Sequence, residues 1–184
     1  MTPFTIITPG DFASPKEAQI AIESFAKFYA SVTNKHRRRI RFIVSVQNAY
    51  YEGINQLGEK NNITDALRVI PWYQEEKIAE AYKEATLLFL PTNENILRLI
   101  QEALSKGISI LSYDEIVQRQ LVDHSCSILV PYISKEHSIS SFSNAMQMLY
   151  FDPEARKMLK KGALRKYNSV VSWQKESTIL QKVA

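Results

Sequence analysis

Cysteine occurs once in this chain of 184 residues, at Cys126. A lone thiol forms neither an internal disulfide nor a cysteine-based zinc cage, and it fits a reducing compartment. Glycine is also scarce: five residues, under half the ~7% of an average protein. There is no G-x-G-x-x-G and no G-x-x-x-x-G-K-[ST], so the phosphate cradles of dinucleotide and P-loop enzymes are missing. The G-x-S-x-G elbow of α/β-hydrolases is absent too. His36, His124 and His137 form no H-x-x-x-H or H-E-x-x-H pair and read as surface or loop histidines. Without a D-x-D, the usual carboxylate seat for a metal–nucleotide-sugar complex is lacking, and no metal or cofactor is expected. The longest apolar runs, such as Leu87-Leu88-Phe89-Leu90, are far too short to cross a bilayer. The amino terminus shows no charged-then-apolar leader, so a cytoplasmic setting is expected.

What is present is ordinary globular material: 45% apolar residues, 23% charged and a net charge of +4. No repeat, low-complexity stretch or linker divides it, so one domain over residues 1–184 is expected. Short apolar runs predict strands at Phe4–Thr8, Ile40–Val46, Leu67–Ile70, Thr86–Leu90, Ile108–Leu111 and Ser127–Val130, each bulky enough to be covered on both faces. The first helix is marked by Ser14 as cap, Pro15 at its first position and Glu17 completing a capping box. Ala18, Ala21, Ile22, Phe25, Tyr29 and Val32 then repeat at helical spacing. Further helices are predicted at Asn48–Lys60, Gln74–Ala85, Asn95–Lys106, Asp114–Asp123, Ser138–Tyr150, Pro153–Tyr167 and Trp173–Val183. Strand–helix alternation predicts an α/β fold: a doubly wound, Rossmann-like parallel sheet of six strands with helices on both faces and a helical C-terminal tail. Ligands of such sheets bind beyond the carboxyl ends where strand order reverses, so site residues should follow strands one and four.

The run Lys35-His36-Arg37-Arg38-Arg39, with Arg41, raises a nucleic-acid or anionic-membrane reading. It lacks the interleaved aromatics of a single-strand binder, and a solvated turn between first helix and second strand is the favoured reading; no nucleic-acid partner is expected. After strand four, Glu94 and Glu102 stand eight positions apart across a helix start. Their Cα atoms are roughly 12 Å apart along the axis, too far for two carboxylates flanking one scissile bond, which need about 5–9.5 Å. The spacing suits two contacts along an extended ligand; equally it is a helix-start carboxylate and an ordinary helical glutamate.

The stretch Leu90-Pro91-Thr92-Asn93-Glu94-Asn95-Ile96-Leu97-Arg98-Leu99-Ile100-Gln101-Glu102-Ala103 resembles the E-x7-E element of group 1, retaining GT-B-type glycosyltransferases, S-x-x-E-G-F-G-L-x-x-L-E-A. Ser105-Lys106-Gly107-Ile108-Ser109-Ile110-Leu111, Ser127-Ile128-Leu129-Val130-Pro131, Asp152-Pro153-Glu154-Ala155-Arg156 and Ser172-Trp173 resemble, in order, the elements that follow it. Pro9-Gly10 with Lys16 resembles "v-G-R-l-x-x-x-K-G". The resemblance covers nearly the whole chain and implies the carboxy-terminal, donor-binding half of a two-domain enzyme, with the acceptor-binding half absent. It implies a nucleotide-sugar donor, metal-independent transfer with retention, and leaves room for peripheral membrane contact by the full-length enzyme. Residue by residue, it implies that Lys16 neutralises the donor diphosphate, Glu94 binds donor-sugar hydroxyls, and Glu102 binds the ribose. Gly10, Asp11, Asn95, Ile96 and Leu97 would line the donor. The family's arginine is Asp11 here, its G-F-G is Asn95-Ile96-Leu97, and its second glycine pair is replaced by Asp114-Glu115-Ile116. These departures support the alternative: a degenerate, non-catalytic glycosyltransferase-like binding or assembly module.

Of the remaining residues, Cys126 reads as small and semi-buried. Met146, Met148 and Met158 read as helix-packing residues, Phe25, Tyr29 and Tyr150 as core, and Trp173 as an anchor of the last helix.

Overall fold

The computed structural model describes residues 3–10, 15–92 and 96–183, with side chains to 169 apart from those of residues 10, 48 and 49. Strands β1 (Phe4–Gly10), β2 (Ile40–Val46), β3 (Leu67–Pro71), β4 (Leu87–Leu90), β5 (Ser109–Tyr113) and β6 (Ser127–Val130) form one parallel sheet in the order β3-β2-β1-β4-β5-β6. Between them run α1 (Pro15–Ser31), α2 (Asn34–Arg37), α3 (Asn48–Lys60), α4 (Glu75–Glu84), α5 (Ile96–Ser105) and α6 (Ile116–Leu121). Helices α7 (Lys135–Phe151) and α8 (Pro153–Val183) follow the sheet. The sheet is thus the six-stranded, doubly wound one expected.

Strand residues alternate between two cores. Phe4, Ile6, Phe42, Val44, Leu87 and Phe89 face one, with α1 and α7; Ile7, Ile43, Leu88, Leu90 and Ile110 face the other, with α4, α5 and α8. Phe25 stacks on Phe42 with ring centroids 4.4 Å apart, and both are fully buried. Burial of each such side chain contributes about 1.5–3 kcal/mol. Hydroxyls stitch neighbouring strands: Thr8 donates to the Phe89 carbonyl at 2.7 Å and Ser112 to that of Leu90 at 3.1 Å.

Several local readings change. The basic run is not simply a solvated turn, since Asn34–Arg37 is a short helix. Arg37 donates to the carbonyls of Tyr29, Ala30 and Val32, satisfying the open end of α1. His36 bonds the Tyr150 hydroxyl at 2.7 Å. Helix α7 begins at Lys135, before the expected Ser138, because the Ser134 hydroxyl accepts from the His137 N–H at 3.1 Å. The two expected terminal helices are one, for no proline or glycine interrupts residues 163–183. Cys126 is fully rather than partly buried, and burial pushes its thiol pKa up. Met146 is buried as expected, whereas Met148 and Met158 are exposed. Tyr150 is half-buried. Ser14 lies outside the described residues, as does the side chain of Trp173.

Candidate functional site

Strand order reverses between β1 and β4, and at the carboxyl edge there the sheet carries two depressions, one on each face. The larger, a cleft of about 590 Å³, opens between the ends of β1 to β3 and helices α4 and α5. Trp72 stands at its mouth because its N–H, just past β3, is bonded to the Val46 carbonyl at 2.8 Å. Ser45, Arg98 and Glu102 supply polar groups. Glu102, on the second turn of α5, pairs with Lys106 one turn later at 2.9 Å. The Lys106 ammonium also lies 5.3 Å from the centre of the Tyr82 ring. Tyr82 is almost wholly buried and its hydroxyl has no hydrogen-bond partner among the described residues. Burial, and then the negative charge of Glu102, raise its pKa, with Arg98 acting in the opposite sense. A buried hydroxyl left unmatched is costly, by about 1–3 kcal/mol, and such groups are the exception in folded proteins.

The smaller depression, about 270 Å³, lies on the α1 face, bordered by Lys16, Pro91, Thr92, Tyr113, Glu115 and Tyr132. Lys16 occupies the exposed first turn of α1, its ammonium 3.3 Å from the Tyr132 hydroxyl and 5.9 Å from the centre of that ring. Glu17 and Glu115 border the same space, so one cation sits among two carboxylates. Asp114, beside Glu115, is gripped by the Arg119 guanidinium through contacts of 2.6 and 2.7 Å, and that hydrogen bonding holds its carboxyl below the usual range.

Among the sequence-derived candidates, Gly10 ends β1 opposite Val46. Asp11, Glu94 and Asn95 lie outside the described residues. Ile96 is buried in the core on the α5 face, so its side chain is withheld from any ligand. Leu97 is 52% exposed and borders the larger cleft. Lys16 and Glu102 are not side by side: each borders its own depression, on opposite faces of the sheet. Sequence reasoning missed Trp72, Arg98 and Tyr82 in one depression and Tyr132 in the other, and noted Glu115 only within the stretch that replaces the family's second glycine pair. It expected site residues after strands one and four, whereas Trp72, Glu115 and Tyr132 follow β3, β5 and β6. No group of three His, Cys, Asp or Glu among the described residues is placed to hold a metal ion, and no helix among them is long and apolar enough to cross a membrane.

No protein-family model and no curated protein matches the sequence. Solved structures do. The pneumococcal O-GlcNAc transferase GtfA, in complex with UDP and GlcNAc, superposes with a TM-score of 0.75 at 14% identity, over 95% of this chain and 35% of that one. The C-terminal domain of the group 1 glycosyl transferase LpcC from Francisella tularensis gives a TM-score of 0.73 at 13% identity, over 91% and 87%. Anabaena HepE, in complex with UDP and glucose, gives 0.71 at 14%, over 98% and 49%. The chain therefore spans about a third of GtfA and half of HepE, and it has the fold of the carboxy-terminal domain of GT-B glycosyltransferases.

Proposed function

We propose that this chain is the donor-binding half of a glycosyltransferase, taking a sugar from a nucleoside diphosphate with retention of configuration, without a metal, to an acceptor held by another domain. The observation that carries the reading is the cleft at the strand-order reversal. Trp72 offers an aromatic face, Ser45 and Glu102 offer hydroxyl partners, and the unmatched Tyr82 hydroxyl lies beside them. A nucleoside meets those needs with a flat base and a ribose diol. On this reading Glu102 accepts from the ribose hydroxyls, exchanging its exposed pair with Lys106, which costs little. Lys16 takes the diphosphate, joined by backbone N–H groups at the start of α5, where the helix dipole favours anions. Glu94 orients the sugar. Charge accumulating on the leaving diphosphate is then met by fixed donors, the main source of rate in such a step.

The test is calorimetric titration with UDP, GDP and ADP and their sugar conjugates. Binding should be weak, because a half-cleft buries less ligand than a closed one. Lys16→Ala should weaken any diphosphate by roughly ten- to a hundredfold, since a charged hydrogen bond contributes about 1.5–3 kcal/mol. Glu102→Ala should weaken nucleosides whatever sugar they carry. Absence of nucleotide binding at millimolar concentration, unrescued by Asp11→Arg, overturns the proposal. That result would favour the second reading, a non-catalytic module, which draws support from Leu97 standing over the cleft and from the two carboxylates around Lys16.

A further inference from the structure

A groove of about 800 Å³ lies away from the proposed donor site, where α8 crosses beneath the amino ends of the strands. That path is fixed by Arg156 over the Phe4 ring at the start of β1, Lys160 and Leu164 against Gly107 before β5, and Gly162 against the Ser125 carbonyl before β6. Ser127, Ile128 and Leu129 are consecutive, yet all three border the groove. Ile128 packs on one core and Leu129 on the other, so the cavity they share runs along the strand's edge. No further strand among the described residues pairs with that edge, since β6 ends the sheet.

Backbone groups of a strand alternate in direction. The carbonyls of Cys126 and Val130 accept from Ile110 and Asp114 on the β5 side, at 3.1 and 2.9 Å. The groups of Ser127 and Leu129 therefore face outward. The Ser127 N–H is taken by the Asp123 carbonyl at 3.0 Å, which leaves the Ser127 carbonyl and both groups of Leu129 for an incoming strand. Apolar walls flank this edge: Met148 from α7, 50% exposed, and Met158 and Leu164 from α8, 69% and 40% exposed. The rim is basic. Lys161 and Arg165 sit one turn apart, His124 also borders the groove, and no carboxylate among the described residues does. The nearby acids are already matched, Glu154 with Lys157 and Asp123 with Lys166, while Lys161 and Arg165 have no ion-pair partner among the described residues.

We propose that this groove docks an extended segment of a partner protein, alternating apolar and acidic residues, which adds to β6 as a seventh strand. Its backbone would meet Leu129, its apolar side chains would fill the space between Met148 and Met158, and its carboxylates would reach Lys161 and Arg165. An anionic bilayer would answer the charges and the methionines, but would leave the Leu129 N–H and C=O without partners in a poorly hydrated setting. The open strand edge therefore favours a peptide. The inference is independent of the donor site, because the two regions lie at opposite ends of the strands.

The test is a phage-displayed library of random twelve-residue peptides, selected on the full chain and counter-selected on a Lys161→Glu, Arg165→Glu variant. Both positions border open space, so the fold tolerates them; matching circular dichroism melts check this. Supporting results are enrichment of acidic–apolar alternation, at least tenfold weaker binding of those peptides to the double variant and to Met158→Glu, and slowed exchange of the Leu129 amide on binding. The proposal is overturned if no groove-dependent peptide emerges, if selected peptides are basic or contact the carboxyl edge, or if phosphatidylglycerol vesicles bind through Lys161 and Arg165 while peptides do not.

Discussion

Replacing Gly162 by alanine sets two opposing effects against each other. Within a helix the exchange is favourable by about 1 kcal/mol, from backbone entropy alone. At Gly162, however, the added Cβ would lie 1.7 Å from the Ser125 carbonyl oxygen and 2.4 Å from its carbon. Ordinary contact begins near 3.4 Å, so helix or turn must yield by more than an ångström. The turn is tied down: Ser125 N–H bonds the Asp123 carboxylate at 2.9 Å, and the Asp123 carbonyl takes the N–H groups of Cys126 and Ser127, both at 3.0 Å. The helix is anchored by buried Leu159 and Ala163. Overpacking of this severity costs about 3 kcal/mol or more, which leaves a net loss of about 2 kcal/mol. For a chain of this size that lowers Tm by about 4–8 °C. Gly53 is the control, since its Cβ would meet nothing within 4 Å; Gly53→Ala should raise Tm by a few degrees. Differential scanning calorimetry on both variants decides. If Gly162→Ala melts at or above the parent, α8 does not pack on the Ser125 turn as described.

Two further outcomes follow from titratable groups. Asp123 is held below its ordinary pKa by the Ser125 hydroxyl and backbone N–H and by Lys166. A depressed carboxylate contributes stability above its unfolded pKa of about 3.9, lost as pH falls through the folded value. Because the group is half exposed, the contribution is discounted to ~1 kcal/mol or less. Asp123→Asn should thus melt lower than the parent at pH 6, with the gap narrowing as the pH falls below the ordinary carboxylate range; a gap that does not narrow in acid would show that charge is not its origin. Cys126 is fully buried with its thiol pKa raised, so a thiol-reactive disulfide reagent should modify it only at the rate of unfolding, and burst-phase modification of the native chain would contradict its placement.

The alternation of strands and helices was legible because its signal is local: Leu87–Leu90 is covered on both faces and apolar throughout, and Ile40–Val46 is apolar and buried at all but Arg41 and Ser45. The carboxyl edge was legible from topology alone. Less legible were features decided by distant partners. Arg37 reads as a surface charge until the open carbonyls of α1 are brought to it. Met148 and Met158 read as helix-packing residues until their helices are seen to turn those faces to water. The separation of Lys16 and Glu102 is of the same kind, since spacing along a chain does not say on which face of a sheet each residue lands. Trp72 carried a usable signal, standing directly after a strand, but strand order was needed to show that β3 borders β2 and opens onto the cleft.

The route of α8 has a consequence for timing. Phe4, at the start of the first strand, rests against Tyr150 with ring centroids 5.6 Å apart and lies beneath the Arg156 guanidinium. Gly107 and Ser125 wait likewise for Lys160, Gly162 and Leu164. Both cores are therefore closed by helices that are synthesised after all six strands. Contacts spanning most of the chain are slow to form, and a nascent chain halted in α7 would hold an assembled sequence for six strands with neither core sealed at its amino edge.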